Sequence, residues 1–181
     1  MKITIGIMGS ANKDLLAAHS SLKLKAEALG TAIAARGLTV LTGATTGVVY
    51  AAGKAAHEAG AIHIGISPAA NALEHVERYG LPTDACDLLI YTGFGLKGRN
   101  VVLVRSCDIV VFVAGGMGSL NEFTIAHDEG KIIGCLTQTG GVADQAGYLL
   151  QTFSKQERPQ VFQGNNPEGL ISQCLQGLLQ R

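Results

Sequence analysis

The chain carries no excess of charge: 14 lysines and arginines stand against 14 aspartates and glutamates, and the formal net charge is zero. Without a basic field, general nucleic-acid binding is not expected. The four cysteines, Cys86, Cys107, Cys135 and Cys174, never fall in C-x-x-C spacing, which argues against a zinc knuckle or a thioredoxin-type redox pair. They read as buried free thiols of a reducing, cytoplasmic compartment. No apolar run reaches the length of a membrane span, so no membrane association is expected. Residues 2–8 read as mature structure with no signal peptide ahead of them. There is no internal repeat, linker or low-complexity tract.

The familiar nucleotide and catalytic motifs are also missing. Gly6-Ile7-Met8-Gly9 does not complete G-x-G-x-x-G, and Leu41 leads into Thr42 where a ribose-binding acid would stand. Residues 43–47 lack the lysine of a Walker loop. His19, His57, His63, His75 and His127 form no pair at metal spacing, so no protein-held metal is expected. No G-x-S-x-G elbow and no cysteine–histidine pairing supplies a nucleophile.

What the chain does have is 24 glycines in 181 residues, with 47% hydrophobic and 15% charged side chains, a compact and glycine-punctuated composition. The pattern predicts strands over 2–8, 38–41, 61–66, 86–91, 109–113 and 131–136, with a short edge strand at 161–162. Helices are predicted over 14–36, 48–59, 96–107, 119 to about 130, 144–155 and 167–179, while 69–85 reads as irregular with one helical turn. Alternating strands and helices imply an α/β fold: one doubly wound, Rossmann-like parallel sheet, helices on both faces, spanning 1–181 as a single domain. Glycine turns follow the first, second, fourth and fifth strands. In an open α/β sheet these carboxyl ends form the ligand rim.

The organising stretch runs from Asp108 to Glu122, D-I-V-V-F-V-A-G-G-M-G-S-L-N-E. A β-branched strand enters a turn crowded by Gly115, Gly116 and Gly118, and a helix follows. Free amides and the positive helix end there suit an anion. Ser119 and Glu122 form a Ser-x-x-Glu capping box on paper. Glu122 is therefore either a local cap or a rim acid or base. Thr42-Gly43-Ala44-Thr45-Thr46-Gly47 is either a second phosphate turn or a capped strand-to-helix turn. Arg99, with Lys97, stands in the first turn of a helix, where cations oppose the helix dipole; an anion bound between them and the turn would explain the placement.

Ala114 to Glu122 resembles the P-G-G-x-G-T-x-x-E signature of the Lonely Guy phosphoribohydrolases, once labelled lysine decarboxylases, and Arg99 stands where that family's R-K arginine stands. Within that superfamily, Leu41 to Val48 resembles the T-G-G-x-x-G-V segment of molybdenum cofactor carrier proteins. Thr92-Gly93-Phe94-Gly95 followed by Arg99-Asn100 resembles their T-G-x-G…R-N segment. The phosphoribohydrolases have glycine where Thr42 stands and lysine where Asn100 stands; Ala114 replaces the signature proline, and Ser119 keeps the threonine hydroxyl.

The resemblance implies a cytoplasmic, homo-oligomeric (dimeric or tetrameric) carrier that shields molybdenum cofactor (molybdopterin) and passes it to molybdoenzymes or an insertase. The implied binding set is Gly9 and Ser10; Thr42, Gly43, Thr45, Thr46 and Gly47; Thr92 and Gly93; Arg99 and Asn100; and Gly115, Gly116, Met117, Gly118 and Ser119. The cofactor's dithiolene would carry the metal. The alternative is a nucleoside 5'-monophosphate phosphoribohydrolase releasing free base and ribose 5-phosphate, with Glu122 activating water or stabilising the ribose cation and Arg99 orienting substrate. A nucleotide sensor without catalysis is a third reading.

Overall fold

Strand β5 (Ile109–Val113) is buried at every residue, as a β-branched run in a parallel sheet should be. It pairs in parallel with β1 (Thr4–Gly9) on one side and β6 (Ile132–Leu136) on the other. The computed structural model describes residues 2–154 and 160–180. Among these, β2 (Thr39–Thr42), β3 (His63–Ser67), β4 (Leu88–Tyr91) and β7 (Val161–Gly164) complete a seven-stranded sheet of order β4-β3-β2-β1-β5-β6-β7. Every pairing is parallel.

Side chains alternate across the sheet and feed two cores. Ile5, Ile7, Val40, Ile109 and Val111 pack under α2 (Ser20–Ala34), α3 (Gly47–Glu58) and α7 (Pro167–Leu179). Met8, Leu41, Val110, Phe112 and Ile133 face α4 (Gly95–Arg105), α5 (Met117–Asp128) and α6 (Gly141–Phe153). The fold is a Rossmann-like α/β sheet with helices on both faces. No helix among the described residues is long and apolar enough to cross a membrane.

Two local expectations change, and the one helical turn expected in 69–85 takes a definite form. The helix predicted over 14–36 is two: α1 (Lys13–Ala18) and α2, separated at His19, whose φ of −131° and ψ of 85° leave the helical region. Asn12 caps α1 by accepting from the Asp14 amide, and no residue of α1 is buried. Segment 69–85 holds a π-helical turn, Glu74–Arg78, anchored by buried His75. The Pro82 carbonyl can only accept, so His75 Nε2–H donates to it at 3.1 Å and Nδ1 accepts from the Ser67 hydroxyl at 2.8 Å. The helix predicted to reach Lys155 ends at Phe153 among the described residues, and Lys155 lies outside them.

Helix α3, rich in small residues, packs its apolar face inside the chain. Val48, Ala52 and Ala56 are fully buried in the core beside α2. Burial also pushes all four thiols up to about 12, which disfavours the reactive thiolate.

Candidate functional site

The strand order reverses direction between β1 and β5, so their following turns diverge and leave a crevice at the carboxyl edge of the sheet. A cavity of about 300 Å³ occupies this place. Gly9, Ser10 and Ala11 line it from the turn after β1, and Gly43 and Thr45 from the turn after β2. Helix α4 adds Leu96, Lys97, Arg99 and Asn100; the α5 end adds Gly116, Gly118, Ser119 and Glu122. The volume lies at the lower end of small-molecule sites.

Arg99 and Glu122 form the centre. Arg99 Nη1 donates to Glu122 Oε1 at 3.1 Å, with side chains only 7% and 8% exposed. Burial pulls the guanidinium's pKa down and pushes the Glu122 carboxyl's up, while each partner counters the other's shift. The guanidinium lies flat against the backbone of Gly43: a Cβ there would sit 2.4 Å from Arg99 Cζ. Glycine at 43 is therefore a requirement of close approach. Arg99 Nε is the buried side-chain polar atom without a hydrogen-bond partner among the described residues. Beside the pair, Asn100 donates to Asn121 at 2.8 Å.

The capping box does not form. Helix α5 begins at Met117 with Gly116 as its N-cap, and no side chain caps it. Ser119 is already inside the helix and donates to the Gly9 carbonyl at 3.1 Å, while Glu122 turns to Arg99. Tertiary partners outcompete the local cap. The first amides of α5 consequently lack both an intrahelical and a side-chain acceptor, and Gly116, Gly118 and Ser119 line the cavity. The turn itself is left-handed: Ala114 has φ 54° and Gly115 φ 105°. Proline, fixed near −65°, could not adopt the Ala114 backbone. Its missing N–H would also lose the 2.8 Å bond from Ala114 N–H to Thr139 Oγ1. Here the chain departs from the proline-bearing signature in conformation as well as in sequence.

Of the expected set, Gly9, Ser10, Gly43, Thr45, Arg99, Asn100, Gly116, Gly118, Ser119 and Glu122 gather around this cavity. The others lie outside its lining. Thr42 is buried against His63 Nε2 at 2.8 Å. The Thr46 hydroxyl is spent on the Ala11 carbonyl, and Gly47 lines a separate hollow with Lys13 and Tyr50. The Thr92 hydroxyl donates to Ser67 O at 2.7 Å, and Gly93 packs on Ala70. Gly115 forms the turn beneath, and Met117 points outward at 77% exposure. Lys97 and Leu96 join the lining without having been placed in the set; helical spacing from Arg99 alone gives no sign of which way their side chains face. Among the described residues no group of three or more His, Cys, Asp or Glu could hold a metal ion.

Comparison with known proteins gives this geometry a family. A model of the SLOG cluster4 family matches residues 2–171. An uncharacterized protein of Archaeoglobus fulgidus is 31% identical over 132 residues, covering 73% of this chain and 78% of that protein. Among solved structures, the molybdenum cofactor binding protein from the phototrophic bacterium Rippkaea orientalis superposes with a TM-score of 0.78 at 29% identity, covering 97% of both chains. The molybdenum cofactor carrier protein from Chlamydomonas reinhardtii superposes with a TM-score of 0.78 at 27% identity, covering 99% of this chain and 100% of that one. Matched along nearly its whole length, with its glycine turns converging on one cavity, the chain belongs to the SLOG cluster4 family.

Proposed function

We propose that this protein binds molybdenum cofactor and carries it to molybdoenzymes or an insertase. One observation carries the reading: a preformed cavity at the strand-order reversal offers uncapped α5 amides, with Lys97 and Arg99 in its lining. Those donors suit a phosphate-bearing ligand. The likeness to two structures named for molybdenum cofactor adds support at 27% and 29% identity. Gly116, Gly118 and Ser119 would hold the phosphate, and Gly9, Ser10, Gly43, Thr45 and Asn100 would border the remainder. The metal would come with the cofactor, on its own dithiolene.

The test is to purify the protein, release any ligand by denaturation, oxidise it and identify the fluorescent pterin by mass spectrometry. Recovery of the pterin, with slower air oxidation of the cofactor in the protein's presence, is expected. Failure to bind or protect added cofactor overturns the reading.

The Arg99–Glu122 pair favours a second reading, phosphoribohydrolase activity, because both residue types that chemistry needs line one cavity. Incubation with AMP and isopentenyl-AMP separates the two: the carrier releases no free base. A homo-oligomer is also proposed. Leu88, Ile90 and Leu96 are each more than two-fifths exposed, leaving apolar surface for a second copy to cover, and light scattering reads the mass.

A further inference from the structure

We propose that Lys97, not Arg99, supplies the charge that recognises the ligand's phosphate, and that Arg99 is a positioning residue; this rests on the reading of the cavity as a site for a phosphate-bearing ligand. Three charged side chains line the cavity: Lys97, Arg99 and Glu122. Arg99 and Glu122 offset one another across 3.1 Å in a buried pair. Their joint charge toward a ligand is close to zero. Lys97 is exposed and makes no ion pair among the described residues, so it is the uncompensated cation of the lining.

The carboxylate that feels the charge of Lys97, Glu122, is already held by Arg99 in the buried pair. Lys97 stands in the first turn of α4, where the helix dipole is already positive. Its Nζ lies 3.5 Å from where a Cβ on Gly118 would be, beside the first turn of α5. One ammonium thus faces the positive ends of two helices. A phosphate monoester seated there would meet the ammonium and the uncapped α5 amides together. Arg99 is buried in the same wall, with its Nε closed off from the cavity and its Nη1 held by Glu122. The outer lysine reads charge; the inner arginine, laid on Gly43 and paired with Glu122, keeps the wall in shape.

Titration calorimetry with AMP, adenosine and inorganic phosphate tests this. Lys97→Ala should weaken AMP and phosphate binding roughly ten- to a hundredfold, leave adenosine binding unchanged and flatten the salt dependence. Lys97→Arg should restore most of the affinity. Arg99→Lys should lower thermal stability yet keep the wild-type salt dependence. Wild-type AMP affinity in Lys97→Ala would overturn the assignment even if molybdenum cofactor still binds. Absence of AMP and phosphate binding to the wild type would overturn it too, whereas failure of the carrier reading would appear only in the pterin recovery.

Discussion

The turns after β2 and β5 look alike in sequence and differ in what they leave open. Each contains a left-handed alanine, Ala44 at φ 49° and Ala114 at φ 54°. Each feeds a helix whose N-cap, Thr46 or Gly116, has extended backbone and makes no side-chain cap bond. At α3, however, the chain closes the helix end on itself. The Val48 amide donates to Ser10 O at 2.9 Å, the Thr46 hydroxyl donates to Ala11 O, and Gly47 packs on Ser10 and Ala11. At α5 the amides stay uncapped and Gly116, Gly118 and Ser119 face the cavity. A glycine turn at a strand end becomes an anion site only where no loop of the protein has already taken its donors.

Four experiments sharpen or break that contrast. The largest effect is expected at the α5 side. Glu122→Ala strands the buried Arg99 charge and should destabilise the fold by about 3–5 kcal/mol, read by chemical denaturation. A loss below about 1 kcal/mol, the range of an exposed pair, would mean that the pair is not buried in solution. Next, Gly43→Ala strikes the α5 side from the β2 turn: the new Cβ displaces the guanidinium, for a loss of about 1–3 kcal/mol together with weakened AMP binding. Unchanged binding would separate the two turns completely.

A smaller, paired effect comes from the hydroxyls. Thr46→Val removes the bond to Ala11 O and should cost about 1 kcal/mol with little change in ligand affinity. Ser119→Ala loses a similar amount but also slackens the cavity wall at Gly9, so affinity falls with stability. Equal binding losses in both would erase the distinction.

The smallest signal is in pH. Burial holds the Glu122 carboxyl above its ordinary 4.5, so the folded chain keeps a proton that the unfolded chain has given up just above that pH. The stability this contributes is full below the window and is lost as pH rises through it. Glu122→Gln should remove that decline from the denaturation midpoints; a decline of the same size in the variant assigns it to other groups.

Much of the fold was legible because strands such as 109–113 are short β-branched runs bounded by glycine, and because the carboxyl edge of such a sheet is fixed by its topology. Arg99 could be singled out because its charge opposes the helix dipole, and Glu122 because it stands at the rim beside a glycine turn. Their pairing could not, because 23 residues separate them and no periodicity links α4 to α5. Ser119 and Glu122 satisfied a local rule that longer-range partners then overrode. The break at His19 left no mark either: Ala18-His19-Ser20 contains neither glycine nor proline, and both α1 and α2 pack against α3 on either side of it. Thr92 and Gly93 matched a motif, yet their hydroxyl and amide secure the connection after β3 at Ser67 and Ala69.

The guanidinium clamped between Gly43 and Glu122 has a kinetic corollary. Because the wall it forms is already set, arrival of a guest requires no folding of a loop around it, and encounter should proceed without a slow rearrangement phase. Preference among guests would then reside in how long each one stays, so stopped-flow traces should show a single association phase while escape rates spread widely.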